Sequence, residues 1–537
     1  MKVVVIGAVA GGPSFATRLR RLDENAEILM IERGENISYA SCALPYYLGD
    51  VITDLDSLIE RTPAILKNKN NIDVRIRHEV TAIDPTNKEV TIKNLETQES
   101  YQAPYDVLVI SSGSRAVLPP IKGIETAKNG FVLRNVTDAA EIKDFLIAKQ
   151  PQKATIIGAG VAGLEIAENL RHRKIDVTVI DQLPEVAFPY DSEIAEIIHQ
   201  HLEKNGVHLL LEETVTEIQQ EGKLLVLADG STLETDLLIF AAGVKPNNEL
   251  AAAAGIQLAE DQHILVDEHL ATNVPDIYAI GDVIETTSWI TGLSTPSMLS
   301  SGANRQGHLL ADIINGNPLT YRGFIGAGVA KIFDLTASFV GYTEHTLKAA
   351  GITNYKTIFI TPFDHAYFYP DAKRLNLKLI FEETTGKILG GQAVGENGVD
   401  KRIGELSVAI TGNLTVFDLP DLELPYSPPY STTRDPLNTA GYVAINQLNS
   451  TIVTIKREDI PKEDFETAFF LDVREADKPL SGTVPATKNI PLSVLRERLA
   501  EVPTNQKVYI TFRKGLNPYN AARILAGKGI QALLIEE

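Results

Sequence analysis

The sequence predicts an α/β protein built around two doubly wound dinucleotide-binding domains. Three observations carry this. A strand, glycine turn, helix, strand and acid open the chain; the same pattern returns at Lys153; and the patterning changes character after about Gln447. The 537 residues suffice for about three to five domains. With 44% hydrophobic and 22% charged residues, the composition is that of an ordinary globular protein.

Residues 2–6 (Lys-Val-Val-Val-Ile) form an apolar β-branched run, expected of a buried parallel strand. Gly7-Ala8-Val9-Ala10-Gly11-Gly12 follows, then a helical stretch to about Leu22 and a strand, Glu27 to Ile31, that ends at Glu32. Gly7 permits a tight turn and Gly12 close helix packing. The helix N-terminus suits a pyrophosphate, and Glu32 suits a ribose hydroxyl. Val9 occupies the middle glycine position of the fingerprint. The second unit runs from the strand Lys153–Ile157 through Gly158-Ala159-Gly160-Val161-Ala162-Gly163, a full GxGxxG, with Glu165 beyond it, to the strand Val177–Ile180 and Asp181. Two such units imply two dinucleotides. An acid at 181 with no Arg directly after it favours NADH over NADPH, because a carboxylate repels a 2′-phosphate. Val107–Ile110, ending in Ser111-Ser112-Gly113, and Leu237–Phe240, ending in Ala241-Ala242-Gly243, read as matching strands of the two units. Thr272 to Asp282 reads as a strand that delivers Gly281-Asp282 to a turn.

The formal net charge of −20 excludes non-specific binding to nucleic acid or to an anionic membrane. No run of eighteen apolar residues exists, so no membrane span is expected. The apolar N-terminus is interrupted by glycines and followed by Arg18, Arg20 and Arg21, and reads as a first strand rather than a signal sequence. No metal site is read. Cys42 is the one cysteine. It cannot form an intramolecular disulfide, and it fits a reducing, cytoplasmic setting. A free cysteine is most often a small buried apolar residue. Its position just after a nucleotide turn makes Cys42 a candidate redox centre whose sulfur partner comes from outside the chain.

These motifs together resemble the flavin-dependent pyridine nucleotide–disulfide oxidoreductases, over about residues 1–445. The resemblance implies FAD on the first unit, with Gly7, Gly12, Glu32, Ser112, Gly113, Gly281 and Asp282 at FAD positions. It implies NADH on the second, with Gly158, Gly160, Gly163, Glu165 and Asp181. Two-cysteine members carry a CxxxxC pair. Here Ser38 and Cys42 occupy that stretch, which leaves the single-cysteine branch of coenzyme A disulfide reductases, NADH oxidases and NADH peroxidases. The peroxidases and oxidases typically have a histidine before the double glycine, where this chain has Ala10. The stretch Tyr39–Tyr47 and the run Asn304-Arg305-Gln306-Gly307 resemble coenzyme A disulfide reductase. That subfamily implies a homodimer in which two tyrosines of the partner subunit approach the cysteine. The candidates are Tyr369, in His365–Pro370, and Tyr426, in Leu424–Tyr430. The same residues would suit aromatic packing at a subunit interface. Arg18 and Arg21 share a helix face and, with Ser38 and Asn304, are candidates for binding coenzyme A.

Beyond Gln447, Phe469–Arg474 reads as a strand ending in Asp-Val-Arg, Val508–Thr511 as a second strand, and the loop Phe512–Asn517 leads into a helix through Leu525. This resembles a rhodanese domain whose cysteine position is Phe512, so sulfurtransferase activity is not expected. The expected domains are 1–120 with 246–323 (FAD, discontinuous), 121–245 (NADH), 324–446 (an α+β dimerisation domain) and 447–537 (rhodanese-like, inactive). The leading functional expectation is NADH-dependent reduction of coenzyme A disulfide, persulfide or polysulfide through Cys42. The alternatives are an NADH oxidase cycling through a Cys42 sulfenate and a non-catalytic nucleotide-binding redox sensor.

Overall fold

A computed structural model describes residues 1–294, 299–449, 453–475, 486–511 and 516–536. The chain divides into two compact units, Met1–Gly326 and Ala327–Glu537.

The first unit contains two five-stranded parallel sheets. In one, the spatial order is Ile277–Ala279, Val107–Ile110, Lys2–Ile6, Glu27–Ile31, Asp73–Arg75. In the other it is Val207–Leu210, Asp176–Ile180, Lys153–Ile157, Leu237–Phe240, Gly130–Val132. The strand that opens each nucleotide unit is central, and the chain crosses from it to both sides. Its C-terminal end is therefore a topological switch point, where open α/β sheets bind ligands. The strands are apolar because both faces are covered: Val3, Val4, Val5, Leu108, Val109 and Ile277 are all buried in one core.

The helices Gly11–Leu22 and Val161–His172 follow the two glycine turns. Arg20 is a buried exception in the first. Its guanidinium donates to the carbonyls of Asp23, Glu24, Ala26, Asn70 and Asn71. It thereby supplies partners for backbone oxygens beyond the helix end.

The expected strand Thr272–Asp282 is only Ile277–Ala279. Upstream the chain folds back on itself. Thr272 N–H reaches Ile277 O at 2.9 Å, Ala271 bridges Tyr278, and Asp276 takes φ +65°. Pro275 has no N–H to give a ladder, so a turn replaces the first half of the strand.

The second unit holds a five-stranded antiparallel sheet in the order Ala327–Ile332, Leu335–Gly341, Ile388–Gly395, Leu375–Glu382, Tyr355–Ile360. Helix Val399–Thr411 carries the buried Arg402. Arg402 donates to Asp435 Oδ2 at 3.0 Å, to Ser431 Oγ at 3.2 Å and to Asp364 O at 2.9 Å. The C-terminal sheet is parallel, in the order Val453–Lys456, Ala532–Glu536, Val508–Thr511, Phe469–Asp472, Lys488–Asn489. Its helix spans Leu516–Ala526, and its core includes Leu471, Ile510 and Leu525. Phe512, Arg513 and Lys514 lie outside the described residues.

Arg402→Met strands the Asp435 carboxylate in a buried setting. We expect a loss of about 3–5 kcal/mol in urea unfolding, whereas the exposed Arg434→Met changes stability by less than about 0.5 kcal/mol.

Candidate active site

The two glycine turns share their first and last glycines, while Val9 stands where the second has Gly160. Gly7 (φ +101°) and Gly158 (φ +116°) occupy left-handed backbone. A Cβ there would lie 2.1 Å from Ser111 O or 2.3 Å from Ala241 O. A Cβ on Gly12 or Gly163 would lie 2.1 Å from the carbonyl oxygen of Gly7 or Gly158. Each position therefore excludes a side chain on steric grounds. Gly160 has open space where its Cβ would stand, so a ligand can reach its backbone.

The acids are equally matched. Glu32 accepts N–H bonds from Ala8 at 3.0 Å and Gly34 at 2.8 Å. Asp181 accepts from Ala159 at 2.7 Å and Leu183 at 2.9 Å. Each carboxylate is thus held at the lip of its turn by one bond per oxygen, with lone pairs left for a ribose hydroxyl. A helix N-terminus and a fixed carboxylate fit a dinucleotide at both turns, and at the second a Cβ on Gly160 would also fill the cradle.

Other expected FAD positions are held by bonds within the chain. Gly113 (φ +64°) and Gly281 (φ +82°) turn the backbone. Gly281 N–H donates to the buried Gln306 Oε1 at 2.7 Å. Ser112 Oγ donates to Asn247 O at 2.8 Å. Asp282 Oδ2 receives Ser114 Oγ at 2.9 Å and Arg134 at 3.1 Å.

Cys42 is exposed, unlike most free cysteines. It sits in a single 3-10 turn, Ser41–Ala43, that leads into helix Leu44–Leu48. Ser38 N–H donates to Ala8 O at 2.8 Å, which ties the cysteine segment to the first glycine turn. Ser38 itself takes φ +47°. At its other end the segment meets the second nucleotide-binding region, on helix Val161–His172. Tyr46 interacts with Glu165 and lies in the field of Cys42; burial, then Glu165 and Glu168, push its phenol up to about 12. Burial, reinforced by Glu168, pushes the Glu165 carboxyl up to about 7. Sequence reasoning reached Glu165 as a nucleotide-binding residue and missed its acid–base character. The signal lay in the fold, which buries a carboxyl beside a second one.

Of the coenzyme A candidates, Arg18 is already engaged. Asp312 takes its Nε at 3.0 Å and Nη2 at 2.7 Å, and this bond holds the Asp312 carboxyl below the usual range. A Cβ at Gly307 would lie 2.4 Å from Gly11 O, so the helix Ser300–Ile314 approaches Gly11–Leu22 closely enough to bring the pair together. Arg21 and Asn304 are exposed.

In the second unit, Tyr369 and Tyr426 are 43% and 45% exposed, beside Tyr367, Phe368 and Tyr430 at 73%, 66% and 73%. Their two loops are joined by Ala366 N–H to Pro428 O at 3.2 Å and by Arg402, which bonds both Asp364 O and Ser431. Five exposed aromatics on two stapled loops form an apolar surface of the kind that marks an interface.

Residues 1–307 match the family profile described as pyridine nucleotide-disulphide oxidoreductase, and residues 329–436 match its dimerisation domain. The chain belongs to the pyridine nucleotide-disulphide oxidoreductases. That family is FAD- and NAD(H)-dependent, which agrees with the two matched cradles. Over 445 residues the chain is 34% identical to the coenzyme A disulfide reductase of Staphylococcus epidermidis, covering 82% of this chain and 99% of that one. The crystal structure of reduced Bacillus anthracis CoADR-RHD is similar at TM-score 0.97 and 44% identity, over 99% of this chain and 96% of that one. A NAD-dependent persulfide reductase from A. fulgidus is similar at TM-score 0.93 and 36% identity, over 100% of this chain and 99% of that one. Among the described residues no helix is long and apolar enough to cross a membrane.

Glu165 generates a pH prediction. Its folded pKa lies above that of an unfolded Glu, so the folded state holds the extra proton between about pH 4.5 and 7, and stability falls as pH rises through that window. We expect Glu165→Gln to be more stable than the parent in urea unfolding at pH 8, by up to about 3 kcal/mol, with the difference shrinking toward pH 5. A second expectation concerns the turn. Gly163→Ala should abolish NADH binding measured by calorimetry while bound FAD, read from its absorbance, is retained.

Proposed function

We propose that the protein is an FAD-dependent oxidoreductase that uses NADH to reduce coenzyme A disulfide, coenzyme A persulfide or polysulfide through Cys42. The observation that carries this is the placement of the sole thiol: it is exposed, and its segment is tied to the first glycine turn and packed on the helix of the second. The names of the relatives supply the substrate class.

In this reading Gly7, Gly12, Glu32, Ser112, Gly113, Gly281 and Asp282 hold FAD, and Gly158, Gly160, Gly163, Glu165 and Asp181 hold NADH. Bound FAD supplies a two-electron relay between NADH and sulfur. The Cys42 thiolate attacks one sulfur of the substrate disulfide. An S–S bond forms to Cys42, the original S–S bond breaks, and the other half leaves as a thiolate that takes up a proton. Two electrons from NADH then cleave the mixed disulfide and restore the Cys42 thiolate. One disulfide, one NADH and one proton yield two thiols and NAD⁺. A persulfide yields one thiol and hydrogen sulfide by the same balance.

The exposed loops support a homodimer in which Tyr369 and Tyr426 of the partner subunit reach the leaving thiolate. Arg21, Ser38 and Asn304 are the candidates for coenzyme A, and Arg18 joins them only by releasing Asp312. The domain limits 1–120 with 246–323, 121–245, 324–446 and 447–537 belong to the same proposal, with the last domain rhodanese-like and, on the identity of Phe512, without sulfurtransferase activity. A cytoplasmic location belongs to the same proposal, supported by the lone thiol.

Anaerobic kinetics test the reading. NADH oxidation without O₂ should depend on added coenzyme A disulfide or polysulfide, and Cys42→Ser should abolish it. NADH consumption that requires O₂ and ignores both sulfur compounds would establish an oxidase instead. The absence of any turnover would leave a nucleotide-binding sensor.

A further inference from the structure

We propose that Lys143 and Arg173 are positioning residues that set the pose of the Cys42 segment by clamping Asp50. Helix Leu44–Leu48 begins two residues after Cys42, and its end carries carbonyls without helical partners. Lys143 Nζ bonds Tyr47 O at 2.7 Å, and Arg173 Nη1 bonds Leu48 O at 3.2 Å. Asp50 follows in left-handed backbone, φ +62°. Its carboxylate joins the same two cations, with Oδ1 on Lys143 at 2.6 Å and Oδ2 on Arg173.

The two cations come from different elements of the second nucleotide unit. Lys143 lies on helix Val136–Lys149, and Arg173 is the C-cap of Val161–His172. Lys143 also sits 4.7 Å from the centroid of the Tyr47 ring. Between these contacts the backbone of Gly49 is pressed on the second helix; a Cβ there would stand 2.1 Å from Asn169 Oδ1. The cysteine belongs to one nucleotide unit, and the end of its helix is held by the other.

Exposed ion pairs contribute little, and the Asp50 side chain is 54% exposed, but its two partners are not. The Lys143 and Arg173 side chains are only 10% and 21% exposed, and each also bonds a carbonyl of the helix end. The bond from Lys143, followed by the field of Arg173, holds the Asp50 carboxyl below the usual range. Removing the carboxylate leaves two sequestered cations facing a single carbonyl each. The helix end then loses its fixed register on the second nucleotide-binding region, and Cys42 with it.

The inference rests on Cys42 being the redox centre. It is tested in the full-length protein with Asp50→Asn, which keeps a residue that tolerates left-handed backbone, and with Arg173→Met and Arg173→Lys. Because Lys143 is buried, Lys143→Met is read only beside these. Amide hydrogen exchange over residues 44–51 should quicken about tenfold in Asp50→Asn and Arg173→Met and stay at the parental rate in Arg173→Lys. NADH turnover with ferricyanide, which takes electrons without Cys42, should be unchanged. Turnover with coenzyme A disulfide should fall about tenfold in kcat with KM for NADH unchanged, and Arg173→Lys should restore it. Unaltered exchange overturns the clamp, and an equal loss of both activities overturns its link to Cys42. Should Cys42→Ser still reduce coenzyme A disulfide, the reading of Cys42 fails, and the exchange rates alone decide the clamp.

Discussion

Residues 38–50 are tied at one end by Ser38 N–H to Ala8 O, on the first glycine turn, and at the other by Asp50 to Lys143 and Arg173, on two helices of the second nucleotide-binding region. The proposed pose of Cys42 depends on this pair of tethers. Cys42 lies between them on a single 3-10 turn, too short to hold a position of its own. A thiol that exchanges electrons with a flavin must keep its distance to within a fraction of an ångström. On the proposed role of Cys42, that precision would come from attachments to the first glycine turn and to two helices rather than from the local helix.

The sheets supply rigid reference points because their turns leave no steric freedom. Gly7 and Gly158 abut the carbonyls of Ser111 and Ala241, and Gly12 and Gly163 abut the carbonyls of their own turns. Glu32 and Asp181 then take one backbone N–H on each oxygen. A fixed carboxylate loses no side-chain entropy when a ribose arrives, so binding proceeds at lower cost. Repetition of the same device in both sheets makes two dinucleotides on one chain a physical conclusion as well as a family one.

The parallel strands were legible because each is buried on both faces and reads as a continuous apolar run. Lys2–Ile6, Lys153–Ile157 and Leu237–Phe240 appear where their composition puts them. The glycines and terminal acids were legible for the same reason: backbone geometry admits few residues there. The failures involve polar tertiary contacts, which leave no periodic trace. Arg18 shares a helix face with Arg21, yet Asp312, far along the chain, engages it. Arg402 looks like one charge among several on its helix and is in fact the buried staple of the two tyrosine loops. Asp50, Lys143 and Arg173 have no motif at all. Thr272–Asp282 was read as one strand because Val274 and Ile277 suit a strand, but Pro275 and the left-handed Asp276 turn its first half back.

The central claim is that Cys42 alone carries the sulfur chemistry and that coenzyme A is its partner. Intact-protein mass spectrometry before and after a thiol reductant tests this most directly, on protein first equilibrated with coenzyme A disulfide. The account predicts one added coenzyme A per chain, lost on reduction and absent in Cys42→Ser. An unchanged mass, or an adduct that persists in Cys42→Ser, would contradict it.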